Sequence, residues 1–528
     1  MTFGETTTME RTVAARSAWH AAGRPDHIAV SCEDREVSYG ELHRRSNRTG
    51  HALRAAGLRK GARVAYLGRD SEHYYDLAIG CAKAGTVLVP INWRLTGKEI
   101  DHILRDSGAE LLFVEREYTR TAERVAPELP NLRGIVAVDG ERERATGFLA
   151  WKGNQPDTDL ADPSGEGDPI IQIYTSGTTG LPKGAVLANR AYFTFHDNMA
   201  RAGVDWIDWL PEDRSLVAFP GMHVAGMSWF MHGYAMGVTN VIMRVFVPDE
   251  AVRLIERNRI TTTFIAPAML KMILSERGVG PDTFSSLRKV VYGSSPIGQA
   301  LLQQCLETIG PILVQMYSST ETGSVATALP AEDHVPGSPR LTSCGKAVPG
   351  TDLKVVDRDG TELPPGEPGQ VCVRLAAGFL GYWNRPEATA KSLVDGWIHM
   401  GDIGYLDADG YLYLRDRVAD TIIVAGQNIY PVEVENAIAE HPAVAEVAVV
   451  GVPDERWGET VAACVVFEPG QRVSGRQLML FLRGNLADYK IPTRYESVGS
   501  LPRNPTGKVL RRVLRDQLSQ PAPEAQPA

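Results

Sequence analysis

The first half of this chain alternates short strand-like runs with helical runs, and that alternation limits the fold more than any other feature. Residues 39–56 have helical spacing and stop at Gly57. Residues 63–67 are a short apolar strand. Residues 71–84 read as a helix with Tyr74, Leu77, Ala78 and Cys81 on one face. A strand over 86–90, a helix over 96–107 and a strand over 110–114 follow. Strand–helix–strand units imply parallel sheets covered by helices. The pattern returns around 217–219, 263–266, 290–292 and 312–316. From about Leu341 glycine and proline rise, and short strands at 352–356, 369–374 and 410–414 suggest a more antiparallel, barrel-like portion. A smaller α+β unit follows from about Thr421, with strands at 447–450 and 461–467 and a helix at 477–486. The tail over 516–528 is rich in Pro and Ala and reads as disordered. The expected class is α/β: a large N-terminal domain of parallel sheets with a small β-barrel-like portion, then a smaller α+β domain.

Composition narrows the function. The formal net charge of −9 argues against a nucleic-acid binder. The N-terminal residues lack the apolar core of a secretory signal, and no run reaches the roughly 18 apolar residues of a membrane span. The six cysteines, Cys32, Cys81, Cys305, Cys344, Cys372 and Cys464, are scattered and form no metal-ligand spacing. The expectation is a reduced, cytoplasmic enzyme. The oligomeric state stays open, a homodimer included.

The sharpest local signal starts at the apolar run 170–174. It leads into Thr175-Ser176-Gly177-Thr178-Thr179-Gly180-Leu181-Pro182-Lys183-Gly184. Glycines let backbone N–H groups turn toward an anion, and the hydroxyls add donors. Lys183 supplies a point charge for a polyphosphate. The spacing is not that of a Walker A loop, because only two residues separate Gly180 from Lys183.

Five further blocks follow in order: Tyr292-Gly293-Ser294-Ser295-Pro296, Gln315-Met316-Tyr317-Ser318-Ser319-Thr320-Glu321, Gly396-Trp397-Ile398-His399-Met400-Gly401-Asp402, Arg415-Asp416-Arg417-Val418-Ala419-Asp420 with Gly426 to Pro431 behind it, and Pro502-Arg503-Asn504-Pro505-Thr506-Gly507-Lys508. Together they resemble the adenylate-forming (AMP-binding) superfamily of acyl-CoA synthetases, aryl-CoA ligases, adenylation domains and luciferases, over about 37–514. The resemblance implies ATP, Mg²⁺ and CoA as cofactors and a small carboxylic acid as substrate. It puts the turn at Ser294, Ser295 and Pro296 against the adenine, with Gln315, Met316, Tyr317, Ser318 and Ser319 beside it. Thr320 would meet the α-phosphate and Glu321 would hold Mg²⁺, with Ser176 a second candidate for the metal. Asp402 and Arg417 would hold the ribose. Lys508 would bridge the attacking carboxylate and the AMP oxygens. Lys183, Thr320, Glu321 and Lys508 are the catalytic set it implies.

The family also implies an N-terminal domain over 1–416, a hinge at 417–420 and a mobile C-terminal domain over 421–515. By resemblance to aryl-CoA ligases, Arg94, Gly426, Trp457 and Tyr489 would meet CoA. The segment Phe219-Pro220-Gly221-Met222-His223-Val224-Ala225-Gly226-Met227 resembles the part that lines the acyl site. Met222, His223, Val224, Gly226 and Met227, with Ser318, Gly323 and Ser324, would form a pocket for an aromatic or short-to-medium-chain acid. The chain departs from the family at Ala419, where Lys or Asp is common, and at Ser318, where Gly is common. Both lie where the acceptor and the acyl group are chosen. The expected activity is therefore an acid–CoA ligase. The alternative keeps adenylation with a different acceptor, a carrier-protein thiol or an amine, or with an oxyanion other than carboxylate, as in nitrite-dependent aryl-amine diazotisation.

Overall fold

The computed structural model describes residues 11–139, 146–175, 182–204, 206–207, 209–417, 420–424, 427–454, 458–483, 486–503 and 509–519. Contacts divide the chain into two units. One comprises Met1–Leu353 and Cys372–Met400; the other comprises Lys354–Val371 and Gly401–Ala528.

The first unit holds two large sheets. An eight-stranded sheet has a parallel centre of Arg63–Leu67, Val87–Ile91, Leu111–Val114 and Pro169–Thr175, with Gly134–Ala137 and Thr146–Gly147 continuing one side. Its other side turns antiparallel. Lys183–Ala188 returns along Pro169–Thr175, and Gly381–Tyr382 closes the edge against it. A nine-stranded sheet has a parallel centre of Arg214–Val217, Thr239–Ile242, Thr262–Ile265, Lys289–Gly293 and Leu313–Tyr317. The strand at 63–67 lies where the apolar pattern puts it, and the others agree within a few residues.

The helices cover these sheets as the alternation requires. Helix Gly97–Ser107 starts in a capping box of Thr96 and Glu99, which satisfies two orphan donors at once. Helix Glu72–Ala84 departs from expectation. It buries nearly every residue rather than one stripe, because helix Tyr39–Ala55 packs against it as well as the sheet. Its polar residues are therefore matched inside: Asp76 pairs with Lys152, and Lys83 Nζ donates to Asn47 Oδ1 at 2.7 Å.

A five-stranded sheet of Thr351–Val356, Gly369–Leu375, Trp397–Leu406, Leu393–Val394 and Leu412–Arg417 is the small barrel-like portion. The chain passes through it from one unit into the other. The second unit also contains a sheet built on the long hairpin of Val444–Asp454 and Gly458–Phe467, packed by helices Pro431–Ala439 and Gly475–Leu482. That last helix ends at Leu482, short of the expected 486, because Arg483 is already extended. All six cysteines are buried thiols. Among the described residues no helix is long and apolar enough to cross a membrane.

Candidate active site

The phosphate-loop segment joins two antiparallel strands, Pro169–Thr175 and Lys183–Ala188. Thr175 pairs with Lys183 across the two strands. The residues between them, including Ser176, Gly177, Thr178, Thr179 and Gly180, lie outside the described residues. Lys183 points its ammonium at the ring of Tyr382, 5.2 Å from the centroid. Tyr382 donates its hydroxyl to Glu321 Oε1 at 2.5 Å. Burial and the adjacent Glu321 both push the Tyr382 phenol above its ordinary pKa, so it remains a donor. Lys183, Tyr382 and Glu321 thus form one linked set, built from three distant parts of the sequence.

Backbone bonds explain how they meet. Leu380 N donates to Val186 O, Trp383 N to Gly184 O and Phe379 N to Glu321 O, each at 2.8 Å. The segment 379–383 is therefore laced to the hairpin on one side and to Glu321 on the other. Gly323 makes the approach possible. It has φ of 65°, and a Cβ there would sit 2.5 Å from Ala377 O. Tyr382 was missed in the sequence. Its signal, Gly381-Tyr382-Trp383, is short and reads as an ordinary turn without the edge pairing.

A second network braces the hairpin from behind. Asp106 accepts from Tyr174 Oη at 2.7 Å and from Arg385 at 2.6 Å, and its carbonyl accepts from Trp383 Nε1 at 3.1 Å. Arg63 stacks 3.4 Å over the Trp383 ring and donates to Gln172, which bonds Tyr174. Asp106 sits in the last turn of its helix, where the dipole disfavours an anion. Arg385 offsets that cost.

The adenine candidates lie at the ends of two adjacent parallel strands, Lys289–Gly293 and Leu313–Tyr317. Ser294 has φ of 68°, a left-handed conformation that a serine adopts at some cost, and such strain gathers at functional turns. Ser294, Pro296 and Ser318 are exposed, and Ser295, Tyr317, Ser319 and Thr320 are half-buried. Gln315 is turned inward instead: its side chain accepts from Tyr292 Oη at 3.3 Å and donates to Cys344. Met316 is buried too. The 318–324 turn is held by Thr322, whose hydroxyl accepts from Ser319 N at 3.1 Å.

Met222 and Met227 are buried, and Val224 and Gly226 open the helix Val224–Met236 directly after His223. Ser228 donates to Gly323 O at 3.4 Å and so brings this helix to the 318–324 turn. His223 Nε2 and Ser324 Oγ are buried without a hydrogen-bond partner among the described residues. Burial, and then Arg94, lower His223 to about 4, so its imidazole is neutral at pH 7. Arg94 lies 4.6 Å from the Trp93 ring centroid. In the second unit, Asp402 is buried and stands opposite Arg417 in the antiparallel pairing of their strands. Gly426, Trp457, Lys508 and the hinge residues 418–419 lie outside the described residues, as do the side chains of Arg417 and Tyr489.

Comparison with known proteins identifies the family of the chain. The family model for AMP-binding enzymes matches residues 17–383, and that for the AMP-binding enzyme C-terminal domain matches 433–508. The chain is 51% identical to the fatty acid–[acyl-carrier-protein] ligase ScoC of Streptomyces coeruleorubidus, over 96% of each chain. It is 37% identical to a feruloyl-CoA synthase of an Amycolatopsis species, over 93% of this chain and 96% of that one. The crystal structure of ATP-bound MatB from Rhodopseudomonas palustris superimposes with a TM-score of 0.89 at 28% identity, covering 97% of this chain and 99% of that one. The chain belongs to the AMP-binding, adenylate-forming enzyme family, within its AMP-forming acyl and aryl ligases.

Proposed function

We propose that this enzyme joins a carboxylic acid to a phosphopantetheine thiol in two half-reactions. In the first, a substrate carboxylate oxygen attacks the α-phosphorus of ATP, forming the acyl-AMP anhydride and releasing pyrophosphate. In the second, a thiolate attacks the acyl carbon, the carbon–oxygen bond breaks and AMP leaves. The observation that carries this reading is the linked set of Lys183, Tyr382 and Glu321 at the mouth of the phosphate hairpin.

Transfer at phosphorus is catalysed mainly by positioning and charge neutralisation. Lys183 sits at the base of the loop as the cation for the departing pyrophosphate, with Thr175 and the loop hydroxyls as donors. Glu321 offers a hard carboxylate oxygen of the kind Mg²⁺ takes, and its tie to Tyr382 fixes its orientation. A magnesium ion held there would neutralise charge on the ATP phosphates. The turn at 294–296 and Tyr317 receive the adenine, Asp402 and Arg417 the ribose, and Thr320 the α-phosphate. Lys508 closes the site over the carboxylate and stabilises charge in the transition state. The C-terminal domain over 421–515 then turns about the hinge at 417–420 to bring the Gly426 loop in. Neutral His223, whose Nε2 has no hydrogen-bond partner among the described residues, is suited to a hydrogen bond with the acid.

The sequence alone favours CoA as acceptor. Similarity to a fatty acid–[acyl-carrier-protein] ligase at 51% identity gives a carrier-bound thiol the stronger support, with CoA, supported by the feruloyl-CoA synthase, as second reading. For the acid, the buried methionines Met222 and Met227 of the acyl segment favour an aromatic or short-to-medium-chain compound.

The test is pyrophosphate release across a panel of acids, with CoA, with a phosphopantetheinylated carrier protein, and with neither. Acid-dependent release without thiol, then AMP release stimulated more by the carrier than by CoA, is expected. Palmitate as the best acid would overturn the acid class. Lys508→Ala should abolish most release; wild-type release by that variant would remove Lys508 from the mechanism.

A further inference from the structure

The acyl segment is gripped from outside by residues that the reaction itself does not use. Asp70, just beyond the strand Arg63–Leu67, is buried at 4% exposure. Its two carboxylate oxygens accept the backbone N–H of Gly221 at 3.0 and 2.8 Å. Tyr75 donates to Oδ2 at 2.8 Å, and Tyr74 donates to Gly221 O at 2.7 Å. Both backbone groups of Gly221 are thus held by side chains from one place. The fit leaves no room for change: a Cβ on residue 221 would sit 2.5 Å from the Tyr74 ring and 3.1 Å from Asp70. The grip extends further along the segment, because Tyr75 stacks on Phe230 with centroids 3.6 Å apart. His223 N donates back to Pro220 O at 3.1 Å, so the pinned turn sets where His223 and the helix after it begin.

We propose that Asp70 is a positioning residue for the acid-binding segment, and that only its carboxylate form holds Gly221 and hence His223 in the binding arrangement, which makes acid affinity pH-sensitive. This rests on the reading of 219–227 as the acid-binding segment. An ionised carboxylate accepts all three bonds; a protonated one must turn one oxygen into a donor and loses part of the hold on Gly221. The surrounding groups put the switch in the neutral range. Burial pushes Asp70 up to about 7, opposed by the bonds from Tyr75 and Gly221. Glu115, bonded to Arg69 N and Arg244, faces it with like charge, while Arg244 acts oppositely. Tyr66 and Tyr74, the other titratable groups around it, stay neutral because burial raises their phenols. His223 titrates too low to contribute.

The experiment is the pH dependence of acid KM and ATP KM in the pyrophosphate-release half-reaction, where no thiol ionises. With wild type, acid KM should rise about tenfold from pH 8 to pH 6, as one site titrating near 7 requires, with ATP KM flat. Asp70→Asn should abolish the dependence. Tyr75→Phe removes a donor that favours the charged form, so it should move the midpoint upward. Lys83, which burial lowers to about 7, is a second buried group in this window; Lys83→Met should leave the acid profile in place. Met227→Trp tests the segment itself by altering acid selectivity. If Met227→Trp changes selectivity while wild-type acid KM is flat with pH, or Asp70→Asn keeps the wild-type profile, the role of Asp70 is overturned and the segment reading stands. If Met227→Trp changes nothing, both fall.

Discussion

Two aspartates with buried carboxylates hold two candidate functional segments of the first unit, and they do it by different physics. Asp106 braces the phosphate hairpin through an ion pair with Arg385, a phenol and an indole N–H on its own carbonyl. Asp70 braces the acyl segment through neutral donors, a backbone N–H and a phenol, and no cation bonds it among the described residues. A guanidinium compensates desolvation by charge; neutral donors compensate it only by hydrogen bonding. If the proposed roles hold, the phosphate hairpin is clamped by an ion pair and the acyl segment by a group poised to titrate, and ATP binding would stay constant with pH while acid binding changes.

The largest effect expected from this contrast is on stability. Asp70 binds its proton more tightly folded, at about 7, than unfolded, at the ordinary 3.8, so its contribution to stability falls as pH rises from 4 to 7. Asp70→Asn lacks that loss. The stability of the variant relative to wild type should climb over this window, by up to about 4 kcal/mol if nothing relaxes. Lys83 gives the mirror image. Burial lowers it from 10.5 to about 7, so the unfolded chain holds its proton longer and wild-type stability should rise from pH 7 to 10 relative to Lys83→Met. Denaturant titrations at several pH values check both; parallel curves for wild type and Asp70→Asn would mean that water reaches the carboxylate.

Next in size is Asp106→Ala. It leaves Tyr174 Oη and the half-exposed Arg385 without their acceptor, at a cost of about 2–3 kcal/mol. It should also lower kcat/KM for ATP about tenfold or more, with acid KM within about twofold, because the freed segment carries Tyr382. An equal rise in both KM values would mean that the two clamps are one.

These two clamps show where sequence reading stops. The alternation of strands and helices is visible because each element carries its own periodicity and caps: strand 63–67, the Thr96 capping box and the strand before the phosphate loop are local facts. The motif residues are legible because glycines, hydroxyls and charges cluster within a few positions. Asp70, Asp106 and Tyr382 show no such cluster. Each acts through a partner more than 60 residues away, Gly221, Arg385 and Glu321 respectively, and only the packing of separate sheets and helices brings them together. Gln315 is the converse: it sits inside a motif, yet strand alternation turns its side chain into the core with Tyr292 and Cys344. The near-complete burial of helix Glu72–Ala84 was hidden for the same reason, since its second packing partner is not in the local pattern.

The smallest effect separates the two halves of the nucleotide clamp. Tyr382→Phe keeps the ring that faces Lys183 and removes only the hydroxyl that orients Glu321. A bond to a charged acceptor contributes about 1.5–3 kcal/mol, and partial exposure of Glu321 puts this one at the low end, or about a tenfold loss in kcat/KM for ATP. Because the freed carboxylate can still bind a divalent cation, raising Mg²⁺ should recover part of the loss. In Asp106→Ala the whole 379–385 segment is released from its brace, so added Mg²⁺ should recover less. The double variant decides between routes: if Asp106 acts through Tyr382, the two losses combine to less than their product. A full product would give Asp106 a separate path to the hairpin through Tyr174, whose strand leads directly into the loop.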